Sequence, residues 1–96
     1  MNVALSRGFF EPFLPRGRPM YTLNKKMRRM VIDAAIFHKA KGQIDKIAAS
    51  SLSVYRRLVL LRTFNKHRGA PAFMRKLEHD IQYTKRLHDR IVGYIR

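Results

Sequence analysis

Histidines and carboxylates are the residues of this chain whose types could support catalysis or metal binding, and four of them form two adjacent pairs in the last predicted helix. They are His79, Asp80, His88 and Asp89. Metal ligation from a helix needs side chains three or four residues apart on one face, whereas these four form two adjacent pairs. The sequence also shows no glycine-rich phosphate loop, nucleophile elbow or serine–histidine–aspartate set. We therefore expect no enzyme, no metal site and no cofactor, and we expect His88 to be a hydrogen-bonded packing residue.

Positive charge is the dominant chemical property of the chain. The 96 residues include 21 Lys and Arg against six Asp and Glu, which gives a formal net charge of +15. Such a chain favours a polyanionic partner, with nucleic acid first and an anionic membrane second. Hydrophobic residues make up 46% of the sequence, too many for a disordered basic tail, so the chain is expected to fold, at least on its partner. No cysteine is present, which excludes disulfides and cysteine-based zinc sites.

The basic residues expected to contact RNA phosphates are spread along the chain. Four of them crowd the start of a predicted helix, where the backbone dipole prefers negative charge, so an external anion is expected to offset them. Contacts of this kind neutralise phosphates without reading bases, because A-form RNA hides its base edges in a deep, narrow groove. The predicted contacts are Arg7, Arg16, Arg18, Lys25, Lys26, Arg28, Arg29, Arg56, Arg57, Lys66, Arg68, Arg75, Lys76, Lys85 and Arg86.

Residues 1–21 are predicted to form an extended basic arm without a core of its own. The arm is rich in arginine and nearly free of acid, which is compatible with an uncleaved mitochondrial targeting segment. Pro12, Pro15 and Pro19 exclude a long amphipathic helix after the first ten residues. In the alternative interpretation the arm docks onto a neighbour through its apolar side chains, which are Phe9, Phe10, Phe13 and Leu14.

Residues 22–96 are predicted to form a single all-α domain that begins with a basic amphipathic helix. Thr22 is the expected N-cap of this helix, which runs to about Lys41 and is ended by Gly42. The following segment has helical spacing until it meets three serines, Ser50, Ser51 and Ser53. Serine hydroxyls compete for backbone hydrogen bonds, so these residues either cap a new helix or kink a continuing one.

Residues 50–95 predict a long antiparallel helical hairpin. Its turn lies at residues 65–71, with Gly69 as the C-cap of the first helix and Pro71 in the first turn of the second. The second helix would be roughly 35 Å long at 1.5 Å per residue, more than a small bundle covers, so its apolar seam is expected to dock neighbouring proteins. No apolar run approaches the roughly 20 residues needed to cross a bilayer. The docking residues of the seam are Met74, Leu77, Ile81, Ile91 and Ile95.

One segment of the hairpin resembles a known family. The segment begins with Leu61-Arg62, continues through a short breaker that contains glycine and proline, and ends in a helix. The helical residues that match the family pattern are Arg75, Leu77, Asp80, Ile81 and Lys85. This pattern resembles the helical hairpin of the universal large-subunit ribosomal protein beside the peptide exit tunnel. With the basic, cysteine-free composition, the resemblance implies a structural protein of a mitochondrial ribosome in the matrix. Its partners would be rRNA and neighbouring ribosomal proteins, with no small-molecule substrate.

A second resemblance supports an alternative function. The tripeptide Val54-Tyr55-Arg56 looks like the LYR tripeptide of small mitochondrial assembly factors and respiratory-complex subunits. It implies an accessory or assembly subunit that binds an acylated carrier protein. A third hypothesis is a peripheral subunit that lies on anionic lipid through the basic segment from Lys25 to Arg29.

Overall fold

Three long helices account for the fold in the computed structural model, which describes residues 9–15 and 18–95. Helix α1 spans Lys25–Lys39, α2 spans Ile44–Phe64 and α3 spans Pro71–Ile95. The connections between them are short, so successive helices run antiparallel and α1 ends up parallel to α3. The described residues contain no β-strand, and the predicted all-α class and the helical hairpin of α2 and α3 are confirmed.

Helix α1 begins and ends at different residues from those predicted. The side chain of Asn24, not Thr22, caps the helix by accepting a hydrogen bond of 2.8 Å from the backbone N–H of Met27. At the other end the N–H of Lys41 donates to the carbonyl of His38 at 2.9 Å, and the N–H of Gly42 donates to Phe37 at 3.2 Å. This pair of bonds is a Schellman motif. Lys41 therefore holds the left-handed position that normally goes to glycine, with φ 54°.

The serine cluster lies within one continuous helix, so the serines do not cap a new helix. Ser50 donates its hydroxyl hydrogen to the carbonyl of Ile36 in α1 at 2.7 Å, so it joins α2 to its neighbour. Ser51 donates to the carbonyl of Ala48 within α2 at 2.8 Å. Both side chains are buried, and small residues at these positions let the helices approach each other closely.

The turn between α2 and α3 is closed by Asn65. Its side-chain amide donates to the carbonyl of Leu61 at 2.8 Å, and its carbonyl accepts from the N–H of Gly69 at 2.8 Å. The prediction that Gly69 caps α2 is therefore wrong. Space is tight at Gly69, because an added Cβ would lie 2.5 Å from the sulfur of Met74, so a larger residue would displace that side chain. Pro71 is the first residue of α3, as predicted.

The apolar seam of α3 packs mostly inside the chain. Leu77 and Ile81 are buried against α2, and Met74 packs on the same core. Leu77 and Ile81 are therefore not accessible to a neighbouring protein, and the prediction is wrong for these two residues, whereas Met74 is half-buried. The cause is that α2 supplies the apolar partner over most of the length of α3. Ile91 is half-buried and Ile95 is exposed, which leaves the end of the seam accessible.

The described part of the amino-terminal arm folds back onto the helices. Phe10 is fully buried, and Phe9, Phe13 and Leu14 pack against the same core, so the arm docks onto its own chain rather than a neighbour. It contains two short 3-10 turns, at Glu11–Phe13 and Met20–Thr22. Among the described residues, no helix combines the length and the apolar character that spanning a membrane requires.

Candidate nucleic-acid interface

The fold gathers five of the predicted RNA contacts at one end of the bundle. The ring of Tyr21 packs edge-on against Phe73 with 5.0 Å between centroids, and the ammonium of Lys76 donates to the carbonyl of Tyr21 at 3.1 Å. These contacts hold the start of α1 beside the start of α3, next to the α2–α3 turn. We call this surface the basic end, and its exposed cations are Lys25, Lys26, Lys66, Arg68 and Arg75.

Backbone dipoles and the placement of acids add to the positive potential of the basic end. The amino termini of α1 and α3 both lie there, and neither helix has an acidic residue in its first turn. Glu78 is paired with Arg62 at 2.8 Å, and Asp80 is buried. In the described part of the chain, therefore, the carboxylates on α3 nearest this end are neutralised or hidden. A polyanion would meet cations and helix amino termini together.

Arg28 is a predicted RNA contact that the fold removes from the surface. It is 2% exposed, and its Nε atom lies 2.9 and 3.2 Å from the two carboxylate oxygens of Asp80. A terminal nitrogen also donates to the carbonyl of Leu23 at 2.8 Å. A buried guanidinium with these partners cannot reach a phosphate, so the prediction for Arg28 is wrong. Its partner is 52 positions away along the chain, and no local pattern in the sequence indicates it.

The surroundings of this buried pair alter two ionisable groups. Burial raises the pKa of Asp80 above its ordinary value, although pairing with Arg28 opposes the rise. Burial also raises the pKa of the Tyr21 hydroxyl well above its ordinary value, and the nearby charge of Asp80 adds to the effect. Both groups therefore stay inside the bundle as structural elements beneath the basic end.

Arg29 lies on an aromatic ring beside the basic end. Its guanidinium carbon is 4.8 Å from the centroid of Tyr83. The Tyr83 hydroxyl donates a hydrogen bond of 2.6 Å to Asp33, which joins α3 to α1. Burial, followed by this bond, raises the pKa of Tyr83 to about 12. The arginine is thus held in place by contacts within the chain before any partner binds.

Three more of the predicted contacts are described by the structure and do not belong to the basic end as free cations. Arg18 donates to the carbonyl of Thr22 at 3.0 Å, and Lys85 pairs with Asp89 at 3.2 Å. Arg86 is exposed further along α3. Arg7 and Arg16 lie outside the described residues.

Two further predicted contacts, Arg56 and Arg57, line a separate groove on α2. The groove encloses about 400 Å³. The guanidinium of Arg57 stacks on the ring of Phe9, 4.3 Å from its centroid, so the arm lies beside the groove, whose lining residues all belong to α2. This surface combines two cations with apolar walls, unlike the basic end. The other lining residues are Ala49, Leu52, Ser53 and Leu60.

Exposed cations at the opposite end of the bundle were missed by sequence reasoning. They are Lys39, Lys41, Lys46 and Arg90. The short connections carried a usable signal, because alternating helix directions place the α1–α2 turn and the end of α3 at the same end. His88 behaves as predicted: its Nδ1 lies 2.8 Å from the Ser51 hydroxyl and 3.1 Å from the Ala48 carbonyl. No group of potential metal ligands occurs among the described residues.

Comparisons with protein-family models, with curated proteins and with solved structures gave no match to this chain.

Proposed function

We infer that the chain is a structural, RNA-binding subunit of a ribonucleoprotein, with the mitochondrial ribosome in the matrix as its proposed site and rRNA as its ligand. The observation that carries this proposal is the basic end, where exposed cations from α1, the α2–α3 turn and α3 lie together with two helix amino termini. A surface of this kind binds phosphates.

The rigidity of the bundle supports an architectural role. The long-range bonds from Arg28 to Asp80 and from Tyr83 to Asp33 fix α1 against α3. The cations of the basic end therefore keep their spacing in the free protein, which lowers the entropic cost of binding a structured RNA. Phosphate contacts of this type position a protein on RNA without selecting sequence.

A matched pair of triple variants tests the proposal. Lys25→Gln, Lys26→Gln and Lys66→Gln remove three charges from the basic end, whereas Lys39→Gln, Lys41→Gln and Lys46→Gln remove three from the opposite end. The slope of log affinity for RNA against log salt should fall by about two to three units in the first variant, at 0.7 to 0.9 per lost contact. It should change much less in the second. Equal slopes in the two variants would contradict this assignment of the RNA surface.

The α2 groove supports a second candidate function, the LYR-type accessory subunit. The Arg56 of the Val54-Tyr55-Arg56 tripeptide lines the groove, next to apolar walls that suit an acyl chain. Purified acylated carrier protein should then bind the wild-type chain, and the double variant Arg56→Gln, Leu60→Gln should lose that binding. The Lys25→Gln, Lys26→Gln, Lys66→Gln variant is the control. If no binding is measured with the wild type, this candidate is eliminated and the RNA proposal is unaffected.

A further inference from the structure

The end of the bundle opposite the basic end carries a cluster of exposed apolar side chains. Of the seven large hydrophobic residues exposed in the described part of the chain, four lie here, namely Phe37 at 62%, Ile44 at 73%, Tyr94 at 86% and Ile95 at 49%. We call this surface the apolar end. Solvated monomers do not commonly group such residues on one tip, which indicates a contact surface.

Internal contacts establish that these residues share one end. The ring of Phe37 lies 3.5 Å from the position that a Cβ on Gly42 would occupy, so it covers the α1–α2 turn just before Ile44. On the other side, the bond between His88 and the carbonyl of Ala48 fixes the register of α3 against α2. Ile44 lies one turn before Ala48 in α2, and the last turn of α3 lies one turn after His88. Both therefore lie at the same end of the bundle.

A rim of cations surrounds the apolar end. Lys39 and Lys41 flank the α1–α2 turn, Lys46 follows Ile44, and Arg90 lies one turn before Tyr94; all four are exposed. Asp45 is an exposed acidic residue in the same region, so the local balance remains positive. An apolar tip within a cationic rim complements an anionic, partly apolar surface.

The chemistry of the tip separates the possible occupants. A second copy of the chain would bring two cationic rims together, which like-charge repulsion opposes. RNA gains little from Ile44 and Ile95, because aliphatic side chains neither stack well on bases nor donate hydrogen bonds. A lipid interface accepts single protruding side chains from several segments, places aromatic rings at headgroup level and attracts lysines.

We propose that the apolar end docks onto an anionic lipid surface, with Phe37, Ile44, Tyr94 and Ile95 entering the headgroup region and the surrounding lysines contacting lipid phosphates. This contact is interfacial and involves only the tip of the bundle. It uses the end opposite the proposed RNA surface, so that one molecule can hold RNA and lipid together. The second part of this statement rests on the proposed RNA function, whereas lipid docking itself does not.

Vesicle binding by a set of matched variants tests the proposal. The probes are phosphatidylcholine vesicles with and without phosphatidylserine. The triple variant Phe37→Gln, Ile44→Gln, Tyr94→Gln should lose binding to the anionic vesicles by about tenfold or more, because it removes the inserted side chains. The control is Met30→Gln, Phe64→Gln, which replaces two exposed apolar residues outside both the apolar end and the α2 groove, at 63% and 44% exposure, and should bind as the wild type does.

The charge variants give a second, independent measurement. Lys39→Gln, Lys41→Gln, Lys46→Gln should weaken anionic vesicle binding by on the order of fivefold per lysine. Lys25→Gln, Lys26→Gln, Lys66→Gln should leave it nearly unchanged. Fluorescent RNA should float with anionic vesicles only when wild-type protein is present. Thermal unfolding followed by circular dichroism verifies that each variant is folded.

Several outcomes would overturn the proposal. The proposal fails if the wild-type protein does not bind anionic vesicles. It also fails if the apolar-end variant and the control variant bind them equally. If the apolar-end variant bound vesicles normally but lost its place in the native particle, the occupant would be a protein neighbour and the lipid proposal would fail. Failure of the RNA proposal gives a different result. The slope of log affinity for RNA against log salt would then be unchanged in the basic-end variant, while the vesicle results would be unaffected.

Discussion

Arg28 is a cation of a highly basic chain that lies in the core and not on a binding surface. Its Nε–H is shared between the two carboxylate oxygens of Asp80 in a buried contact, and a terminal nitrogen donates to the carbonyl of Leu23. Desolvating such a pair costs free energy, so the pair adds little to folding stability compared with apolar side chains in its place. Removing one partner, however, leaves the other charge buried and unpaired. The pair therefore fixes the position of α1 on α3 more than it adds stability.

The substitution Asp80→Asn should lower the free energy of unfolding by about 3 to 5 kcal/mol, because it leaves a buried guanidinium without its counter-charge. The double variant Arg28→Met, Asp80→Leu removes both charges and should cost much less than the single variant. Urea unfolding of the three proteins measures the difference. A double variant that is as unstable as Asp80→Asn would show that the loss comes from packing and not from the stranded charge.

Tyr83 links stability to alkaline pH. Burial and the bond to Asp33 raise the pKa of this hydroxyl to about 12 from its ordinary 10.0. The folded protein therefore holds the proton more tightly than the unfolded chain, so the contribution is complete below about pH 10 and is lost as the pH rises toward about 12.

The variant Tyr83→Phe lacks this titration. The stability difference between wild type and variant should be constant below about pH 10 and should shrink between about pH 10 and 12. Lysine titration in the same range affects both proteins and cancels in the comparison. Denaturant unfolding at a series of pH values gives the two curves, and parallel curves up to pH 12 would contradict the assignment.

The sequence predicted the type and the order of the helices well, but it predicted the residues at which they begin and end less well. The spacing of apolar residues identified the hairpin, and Pro71 marked the start of α3 correctly. The predicted N-cap of α1 is Thr22, whereas the observed N-cap is Asn24. Both side chains can accept the same kind of hydrogen bond, but Thr22 belongs to the preceding 3-10 turn, where its hydroxyl donates to the carbonyl of Pro19 at 2.7 Å. Local propensity could not separate the two.

The candidate surface was predictable only in part. Exposed cations such as Lys25 and Lys66 were identified by residue type, but their meeting at one end required the order and direction of the helices. Arg28 and the inner seam of α3 were misassigned because a pattern along one helix does not show which face a distant helix covers. The pairing partner, not the pattern, decided whether each residue is core or surface.

The end of α1 offers a test of local backbone strain. Lys41 adopts φ 54°, which costs a residue with a Cβ roughly 1 kcal/mol relative to glycine. Lys41→Gly should therefore raise the free energy of unfolding by about that amount. Lys41→Gln removes the same charge but keeps the Cβ, so it isolates the contribution of charge. If the glutamine variant is stabilised as much as the glycine variant, backbone strain is not the cause.

The whole molecule combines a compact bundle with a charge that opposes compaction. The bundle measures 39 × 26 × 25 Å along its principal axes, and the chain as a whole carries a net charge of +15. At low ionic strength these charges repel one another over most of the molecule, because the Debye length of about 30 Å at 0.01 M is comparable with its dimensions. Two ends of different chemistry then provide places where partners can reduce this repulsion.

The final prediction follows from that repulsion. Stability should rise as ionic strength increases from about 0.01 M to about 0.15 M, where the Debye length falls to about 8 Å and distant charges no longer interact. If the proposed RNA function holds, adding an RNA duplex at low salt should raise it further, by about 2.7 kcal/mol when free RNA reaches about 100 times its dissociation constant, because a ligand of the folded state stabilises that state by mass action. The Lys25→Gln, Lys26→Gln, Lys66→Gln variant should start more stable at low salt and gain less from RNA. Thermal unfolding followed by circular dichroism measures each case. Stability that is unchanged by salt, together with equal RNA stabilisation of the wild type and this variant, would mean that the basic end neither strains the free protein nor binds the polyanion.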